Sequence, residues 1–212
     1  MYRAAVKLPY DPSLRGRFKS NLDGFERRRH PRGELTAASV ALAIVADDQD
    51  RACFVLTRRA PKLKDHPGQW ALPGGRREPA ETESETARRE CREEVGLALS
   101  PESQLGLLDD YPTRSGFVIT PVVFWAGPSD ELTANPAEVS AIYRVPLADL
   151  DHADIPQLRS IPESDQPVIS VPLLGTRIHA PTAAILYQLR EVVVHGRSTR
   201  VAHYEQPVWA WS

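Results

Sequence analysis

Continuous runs of apolar residues predict the strands of this chain. Residues 36–46 and 52–57 flank a short Asp-rich stretch, and together they predict two buried strands joined by a tight turn. A further run at residues 118–125 predicts another strand, in which Pro121 indicates a sheet edge or a bulge. These runs predict a β-sheet with buried strands.

The first part of the chain combines basic residues with a helical apolar pattern. Leu14, Phe18, Leu22 and Phe25 recur at helical spacing and predict a short helix docked on the rest of the protein. We therefore divide the chain into a basic N-terminal arm, residues 1–34, and a main domain, residues 35–212. The run at residues 27–30, Arg-Arg-Arg-His, is compatible with a phosphate or nucleic-acid patch, but a solvated stretch ahead of a domain is the commoner meaning.

Three later segments have patterns of their own. Residues 151–175 are rich in proline and acid and predict a long loop or lid that contains a late strand at 168–173. Residues 183–195 predict a final amphipathic helix, which we expect to cover the sheet face opposite the acidic helix described below. The aromatic end, residues 201–211, is expected to fold back as a packed strand or to form a dimer contact.

Composition narrows the class of protein. The 212 residues carry a net charge of −2, which argues against a general nucleic-acid binder. No apolar run approaches the roughly 20 residues that a membrane span needs. Cys53 and Cys91 fall in a predicted strand and a predicted helix, so they form neither a disulfide framework nor a zinc pattern. We expect a protein of the reducing cytoplasm.

One predicted helix concentrates carboxylates on one face. Its N-cap is Thr82, with Glu85 at the capping-box position, and Gly96 is placed to end it. Three further carboxylates lie at positions i, i+3 and i+4, within one sector of the helix surface: Glu90, Glu93 and Glu94. Like charges this close repel one another unless a hard divalent cation binds between them, and magnesium prefers carboxylate oxygens. The pattern therefore favours a metal site over a merely solvated helix face.

The residues around this helix complete a longer signature. Gly75 is followed after five residues by Glu81, and after seven more by Arg89-Glu90; Glu93-Glu94 and Gly96-Leu97 then follow. This spacing resembles the signature of the Nudix hydrolases. The resemblance implies an α/β fold, a Nudix-type α/β/α sandwich with a mixed β-sheet between helices. It also implies hydrolysis of a nucleoside diphosphate linked to another moiety, with Mg²⁺ or Mn²⁺ as cofactor.

The resemblance also assigns roles to residues. The expected metal ligands are Gly75, through its carbonyl, Glu90, Glu93 and Glu94. The expected catalytic residues are Glu93, Glu94 and Glu138, because Nudix enzymes often use a glutamate beyond the signature as an extra ligand or general base. Either Glu93 or Glu138 is expected to take the proton from the attacking water. Arg89 is expected to pair with Glu81 and to hold the loop against the helix.

A second resemblance concerns the substrate. The stretch Leu56-Thr57-Arg58-Arg59-Ala60, followed by Pro67-Gly68 and Pro73-Gly74-Gly75, resembles the additional signature of coenzyme A pyrophosphatases, with Val55, Trp70 and Leu72 where that signature has other residues. It implies cleavage of coenzyme A or acyl-CoA to 4′-phosphopantetheine and 3′,5′-ADP, and a homodimer. Guanidinium groups match phosphate geometry, and three arginines near the acidic helix are the expected substrate ligands: Arg58, Arg59 and Arg76.

Two alternatives remain open from the sequence. One is a Nudix pyrophosphatase that acts on ADP-ribose, a dinucleotide or a nucleoside triphosphate. The other, of a different class, is a catalytically silent Nudix-like regulatory or nucleic-acid-binding module. Such modules usually lose signature glutamates, and this chain keeps them all. The expected partner is therefore a small nucleotide substrate, without a membrane and without nucleic acid.

Overall fold

A mixed β-sheet forms the centre of the fold. The computed structural model describes residues 8–63, 66–127 and 131–211. The strands of the main sheet are β1 (Thr36–Ala46), β2 (Ala52–Arg59), β3 (Trp70–Ala71), β4 (Gly74–Arg76), β5 (Gln104–Leu107), β6 (Tyr111–Pro112), β7 (Phe117–Trp125) and β8 (Val139–Pro146). A smaller sheet contains β9 (Gln157–Ile161), β10 (Ser164–Leu173) and β11 (Thr176–His179). The α-helices are α1 (Pro12–Asp23), α2 (Glu83–Val95) and α3 (Thr182–Gln188).

Strand β1 is the centre of the main sheet. It pairs antiparallel with β2 and parallel with β7, so the order along the sheet is β3-β2-β1-β7-β5, and β8 pairs with β2. Strand β4 pairs antiparallel with the beginning of β1, where Gly75 lies opposite Ser39. This pairing fixes the double glycine beside the central strand.

The two faces of the sheet bury different helices. Because side chains alternate along a strand, Ala41 and Ala43 of β1 pack in a cluster with Ala87 and Cys91 of α2. Leu42, on the other face, belongs to a second and larger cluster with residues of α1 and α3. The arrangement is the predicted sandwich, with the final helix on the face opposite the acidic helix. Because both faces are covered, β1 and the first five residues of β2 are apolar at nearly every position.

Helix α1 lies in the segment assigned to the N-terminal arm. Asp11 caps it by accepting the N–H of Leu14 at 2.7 Å, and Phe18 is fully buried in the larger cluster. After the helix, an Arg27 guanidinium nitrogen lies 2.7 Å from Asp110 Oδ1. Arg27 thus connects the segment after α1 to the main sheet, whereas residues 28–30 are exposed. The remaining part of the arm, residues 1–7, lies outside the described residues.

The proline-rich segment differs from its prediction. The strand expected at 168–173 lies within β10, but residues 157–161 form the strand β9 instead of a loop or lid; β9 pairs antiparallel with β10, which β11 extends. Three residues of β9 are exposed, while Val168, Ile169 and Val171 of β10 are buried. The polar character of β9 hid a strand whose stability comes from its buried neighbour, because sheet pairing depends more on packing than on intrinsic propensity.

Pro121 occupies the interior strand β7 rather than a sheet edge. Its carbonyl accepts the N–H of Leu108 at 3.0 Å, and the chain on that side divides into the short strands β5 and β6. A proline cannot donate to a ladder, and the interruption between β5 and β6 accommodates this missing donor. The interruption in the hydrogen-bond pattern therefore lies between β5 and β6, in the segment that pairs with β7, and not in β7 itself.

The last helical segment changes its pitch. The predicted helix at 183–195 appears as α3 followed by a π-helical stretch, Leu189–Val194. The apolar stripe is buried as expected: Ile185, Leu186, Leu189, Val192 and Val193. Among the described residues, no helix combines the length and the apolar character that crossing a bilayer requires.

Candidate metal and catalytic site

Three carboxylates from two parts of the chain converge at the N-terminal side of the central strand. Glu90, Glu94 and Glu138 each place an oxygen within 4.8 Å of the others. Glu90 and Glu94 are one turn apart on α2, and Glu138 directly precedes β8. No similarly placed group of three His, Cys, Asp or Glu side chains occurs elsewhere in the part of the chain that the structure describes.

Local sequence fixes the orientation of α2. Thr82 and Glu85 form the predicted capping box, and Gly96 ends the helix with a φ of 72°, in the left-handed region that favours glycine. Cys91 and Val95 are fully buried against the sheet. Because this stripe is anchored, the adjoining helix face must hold Glu90 and Glu94 toward the double glycine.

Backbone hydrogen bonds bring Glu138 to the same place. The loop before it donates from the Thr133 N–H to the Val95 carbonyl and from the Asn135 N–H to the Glu94 carbonyl, both at 2.9 Å. The Glu138 N–H donates in turn to the Asn135 carbonyl at 3.0 Å. The loop therefore satisfies carbonyls at the end of α2 that have no partner within the helix, and it sets Glu138 opposite Glu94.

The double glycine leaves room for the carboxylates. A Cβ atom on Gly75 would lie 2.3 Å from Glu90 Oε1, and one on Gly74 would lie 2.4 Å from the Ser39 carbonyl oxygen. The Gly74 N–H also donates to Glu94 Oε2 at 3.4 Å. Both glycines are thus required by close approach of neighbouring atoms.

Arg89 links the glycine loop to the helix. Its guanidinium donates to both carboxylate oxygens of Glu81, at 2.7 and 3.0 Å, and to the Arg76 carbonyl at 3.2 Å. It also donates to Glu90 Oε1 at 2.7 Å. The bonds from Arg89 are the main cause that lowers the pKa of Glu81 to about 2. This pair has the geometry of the structural clamp expected from the sequence.

Burial makes the carboxylate cluster electrostatically unfavourable by itself. Desolvation, followed by repulsion from Glu90, raises the pKa of Glu94 to about 8, and nearby Arg59 offsets this only in part. Desolvation also raises the pKa of Glu90. Buried like charges are costly unless a cation neutralises them. The oxygen-only donor set therefore fits a hard divalent cation such as Mg²⁺ or Mn²⁺.

The raised pKa of Glu94 predicts how the stability of the metal-free protein depends on pH. Between about pH 4.5 and 8 the folded protein binds more protons at Glu94 than the unfolded chain does. The free energy of unfolding should therefore fall as pH rises through this window, by on the order of a few kcal/mol. Urea unfolding with chelator at pH 5 and pH 8 measures it. Glu94→Gln should lose this contribution; equal pH dependence in both proteins would contradict the assignment.

Glu93 does not belong to this cluster. Its side chain is 48% exposed and pairs with Arg89 Nη1 at 3.2 Å. On a helix, Glu93 and Glu94 point about 100° apart, so the face that turns Glu94 toward Gly75 turns Glu93 toward solvent. The structure thus brings together Glu90, Glu94 and Glu138 among the predicted acidic site residues.

A cleft of about 460 Å³ lies beside the carboxylate cluster. Gly74 and Gly75, which adjoin the carboxylates, also line this cleft. Of the three arginines expected to bind substrate, Arg59 and Arg76 line this cleft. Arg58 does not; its guanidinium lies 5.0 Å above the ring of Trp70. Successive strand residues point to opposite faces, which separates the two neighbouring arginines.

Several cleft residues were not assigned to the site from the sequence. They come from the loop before β7, from the start of α3 and from the C-terminal segment, and they include Thr113, Ser115, Pro181, Thr182, Gln206 and Ala210. Only the aromatic composition of the C-terminal segment drew attention to it. No local spacing signals that such distant segments meet.

Comparison with known proteins is consistent with this arrangement. The NUDIX domain family profile matches residues 36–165. The chain is 37% identical over 113 residues to the uncharacterized Nudix hydrolase NudL of Photorhabdus laumondii, covering 53% of this chain and 59% of that protein. It is 35% identical over 144 residues to Nudix hydrolase 3 of Caenorhabditis elegans, covering 63% and 59%. The matched regions thus span about three fifths of these relatives.

Solved structures show the same fold. The Nudix hydrolase RenU of M. smegmatis superposes with a TM-score of 0.51 at 23% identity, covering 75% of this chain and 86% of RenU. A MutT/nudix family protein from Enterococcus faecalis superposes with a TM-score of 0.52 at 18% identity, covering 84% and 69%. The NUDIX profile matches more than half of the chain, and three of the signature glutamates, Glu90, Glu93 and Glu94, lie on α2; this chain belongs to the Nudix family.

Proposed function

We propose that this chain is a divalent-metal-dependent pyrophosphohydrolase that cleaves the diphosphate linkage of a nucleoside diphosphate derivative. The observation that carries the proposal is the cluster of Glu90, Glu94 and Glu138 beside the double glycine, which lines the adjoining cleft together with Arg59 and Arg76. Carboxylates alone would repel a diphosphate, and arginines alone would bind it without activating water. Because carboxylates and arginines lie next to each other, the site can both bind a diphosphate and activate water.

Each group near the glycine loop has a proposed role. Glu90, Glu94 and the Gly75 carbonyl hold the cation, and Glu138 completes the cluster. A bound Mg²⁺ or Mn²⁺ supplies charge neutralisation of the diphosphate and lowers the pKa of water. Between the two candidates for the general base, Glu138 is favoured because it faces the other carboxylates, whereas Glu93 is directed toward Arg89 and solvent.

Arginines are the proposed phosphate ligands. Arg59 lies near enough to Glu94 to lower its pKa, and it lines the cleft. Arg76 also lines the cleft, with its guanidinium 5.3 Å above the ring of Phe117. Planar guanidinium groups bind phosphate oxygens in pairs. These two side chains therefore orient the diphosphate against the carboxylates.

We propose coenzyme A or acyl-CoA as the substrate, with 4′-phosphopantetheine and 3′,5′-ADP as products. Support comes from the sequence around Leu56-Thr57 and Pro67-Gly68, which resembles the additional signature of coenzyme A pyrophosphatases. Arg59 belongs to that stretch and lines the cleft. The cleft is also lined by apolar side chains, Ile119 and Ile185 among them, which suits a substrate with a long organic arm.

A substrate panel tests this proposal. We expect metal-dependent cleavage of coenzyme A at a higher kcat/KM than that of ADP-ribose or a dinucleotide polyphosphate, and loss of all cleavage with chelator. Product analysis by mass should detect 4′-phosphopantetheine. Preference for another diphosphate would reject coenzyme A while preserving the chemistry. Absence of cleavage in the presence of bound Mn²⁺ would reject the catalytic proposal.

A further inference from the structure

The C-terminal segment forms one wall of the cleft. Gln206 and Ala210 line it together with Thr113 and Ser115 from the loop before β7. Trp70 and the double glycine also line the cleft. The segment at residues 205–211 therefore borders the space into which a substrate bound at the carboxylates would extend.

Buried interactions hold this segment in place. Glu205 is only 5% exposed, and its Oε2 lies 2.6 Å from a guanidinium nitrogen of Arg114. The Glu205 N–H donates to the Pro167 carbonyl at 2.9 Å, and its carbonyl accepts the N–H of Ile169 at 3.3 Å. Glu205 thus anchors the wall to β10 and to the loop before β7.

Arg114 and Trp211 fix the next residue, Gln206. The backbone N–H of Arg114 donates to Gln206 Oε1 at 2.7 Å, and the indole N–H of Trp211 donates to the Gln206 carbonyl at 3.0 Å. The Arg114 guanidinium lies 5.0 Å above the Trp211 ring. Since only the amide oxygen can accept from an N–H, the contact with Arg114 also determines which end of the Gln206 amide is Nε2.

The N–H groups on Gln206 Nε2 are available to bind a ligand. Gln206 is 3% exposed and lines the cleft, yet no acceptor within residues 8–63, 66–127 and 131–211 binds its Nε2. The indole Nε1 of Trp70, another cleft residue, is buried and also lacks an acceptor there. A fully buried donor without an acceptor, such as Trp70 Nε1, is costly, whereas Gln206 Nε2 keeps accessible surface on the side of the cleft. The wall therefore presents a fixed neutral donor whose hydrogen bond a ligand can complete.

We propose that Gln206 is a specificity-determining residue whose Nε2 donates to a neutral acceptor, a carbonyl oxygen or a ring nitrogen, on the organic part of the substrate. This inference rests on the proposed function, because it assumes that the diphosphate lies at the carboxylates. A neutral amide complements an uncharged acceptor, whereas Arg59 and Arg76 supply the charge that phosphates require. Gln206 therefore selects the group attached to the diphosphate.

Two substitutions at Gln206 remove the donor in different ways. Gln206→Glu keeps an oxygen for the Arg114 N–H, and Gln206→Met removes the donor without adding charge. For the preferred substrate we expect both to raise KM at least about tenfold, with kcat within about threefold and Mn²⁺ affinity unchanged. The matched controls Gln166→Glu and Gln166→Met, at an exposed position of β10, should behave like the wild type.

Comparison of two substrates identifies the acceptor. A KM effect on coenzyme A that is absent for ADP-ribose would place the acceptor on the pantetheine arm, because only coenzyme A has amide carbonyls there. An equal effect on both would place it on the shared adenosine. Unchanged KM values in both Gln206 variants would overturn the inference, as would a fall in kcat and melting temperature alone, which indicates a structural role.

Failure of the proposed function is separable from failure of this inference. If wild-type protein cleaves no member of the substrate panel, the proposed function is rejected, and calorimetric titration with 3′,5′-ADP and with 4′-phosphopantetheine in Mn²⁺ decides the role of Gln206. Tenfold weaker binding of either ligand by both Gln206 variants would support the inference. Equal affinities, or no binding by the wild type, would overturn it.

Discussion

Glu94→Gln is expected to lower kcat by at least about a thousandfold, equivalent to about 4 kcal/mol of transition-state stabilisation. The substitution preserves the shape of the side chain but removes one of the three charges that converge within 4.8 Å. A neutral amide binds Mg²⁺ far less well than a carboxylate does. The fold should persist, because the buried position becomes neutral and the desolvation cost of the charge at Glu94 disappears.

Steady-state hydrolysis and thermal unfolding of the same preparation measure both parts of this expectation. Glu163→Gln, an exposed residue in the turn between β9 and β10, is the matched control and should retain wild-type turnover. Comparison of Glu138→Gln with Glu93→Gln then tests the choice of base. A Glu94→Gln protein with normal turnover would reject the assignment of the cluster as the catalytic centre.

Gly75→Ala is expected to weaken Mn²⁺ binding at least about a hundredfold and to reduce activity in parallel. The added Cβ would lie 2.3 Å from Glu90 Oε1 and within 2.8 Å of Glu90 Oε2, so the whole carboxylate must move. Because β4 is paired with the central strand at Gly75, the backbone cannot easily retreat. Displaced carboxylates lose metal affinity, since cation sites depend on ligand placement.

Titration with Mn²⁺ measures this effect directly. Gly16→Ala is the control, because a Cβ there meets no atom within 4 Å and helix α1 gains from replacement of glycine. Wild-type Mn²⁺ affinity in Gly75→Ala would show that Glu90 has another position from which it can bind metal. Normal affinity with lost activity would shift the role of Gly75 from metal binding to substrate placement.

Local signals account for the parts of the site that sequence alone predicts. The limits of α2 follow from a capping box and a left-handed glycine, both of which act within a few residues. The contact of Arg89 with Glu81 is also local, because it joins residues on either side of the N-cap and first turns of α2. The apolar runs predict buried strands, whereas the α/β/α arrangement is implied by the resemblance of the Gly75–Leu97 signature to the Nudix hydrolases.

The parts of the site that the sequence does not predict depend on packing between distant segments of the chain. Helical geometry places Glu93 and Glu94 on neighbouring faces, but only the docking of α2 determines which of them points toward Gly75. The position of Glu138 depends on a loop that binds the end of α2, and residues 157–161, predicted as part of a loop or lid, form a strand because they pair with the buried strand β10. The wall formed by Gln206 depends on contacts across about half the chain, which no spacing reveals.

The hydrogen bond from Asn135 to the Glu94 carbonyl has a consequence for the evolution of this protein. Glu94 contributes its side chain to the carboxylate cluster and its carbonyl to the loop that carries Glu138, so both glutamates move with one helix end. The walls contributed by Gln206 and by Thr113 come from other segments. Substitutions that reshape those walls can therefore accumulate while the spacing of the carboxylates is preserved, which allows new substrates to be acquired without rebuilding the hydrolytic chemistry.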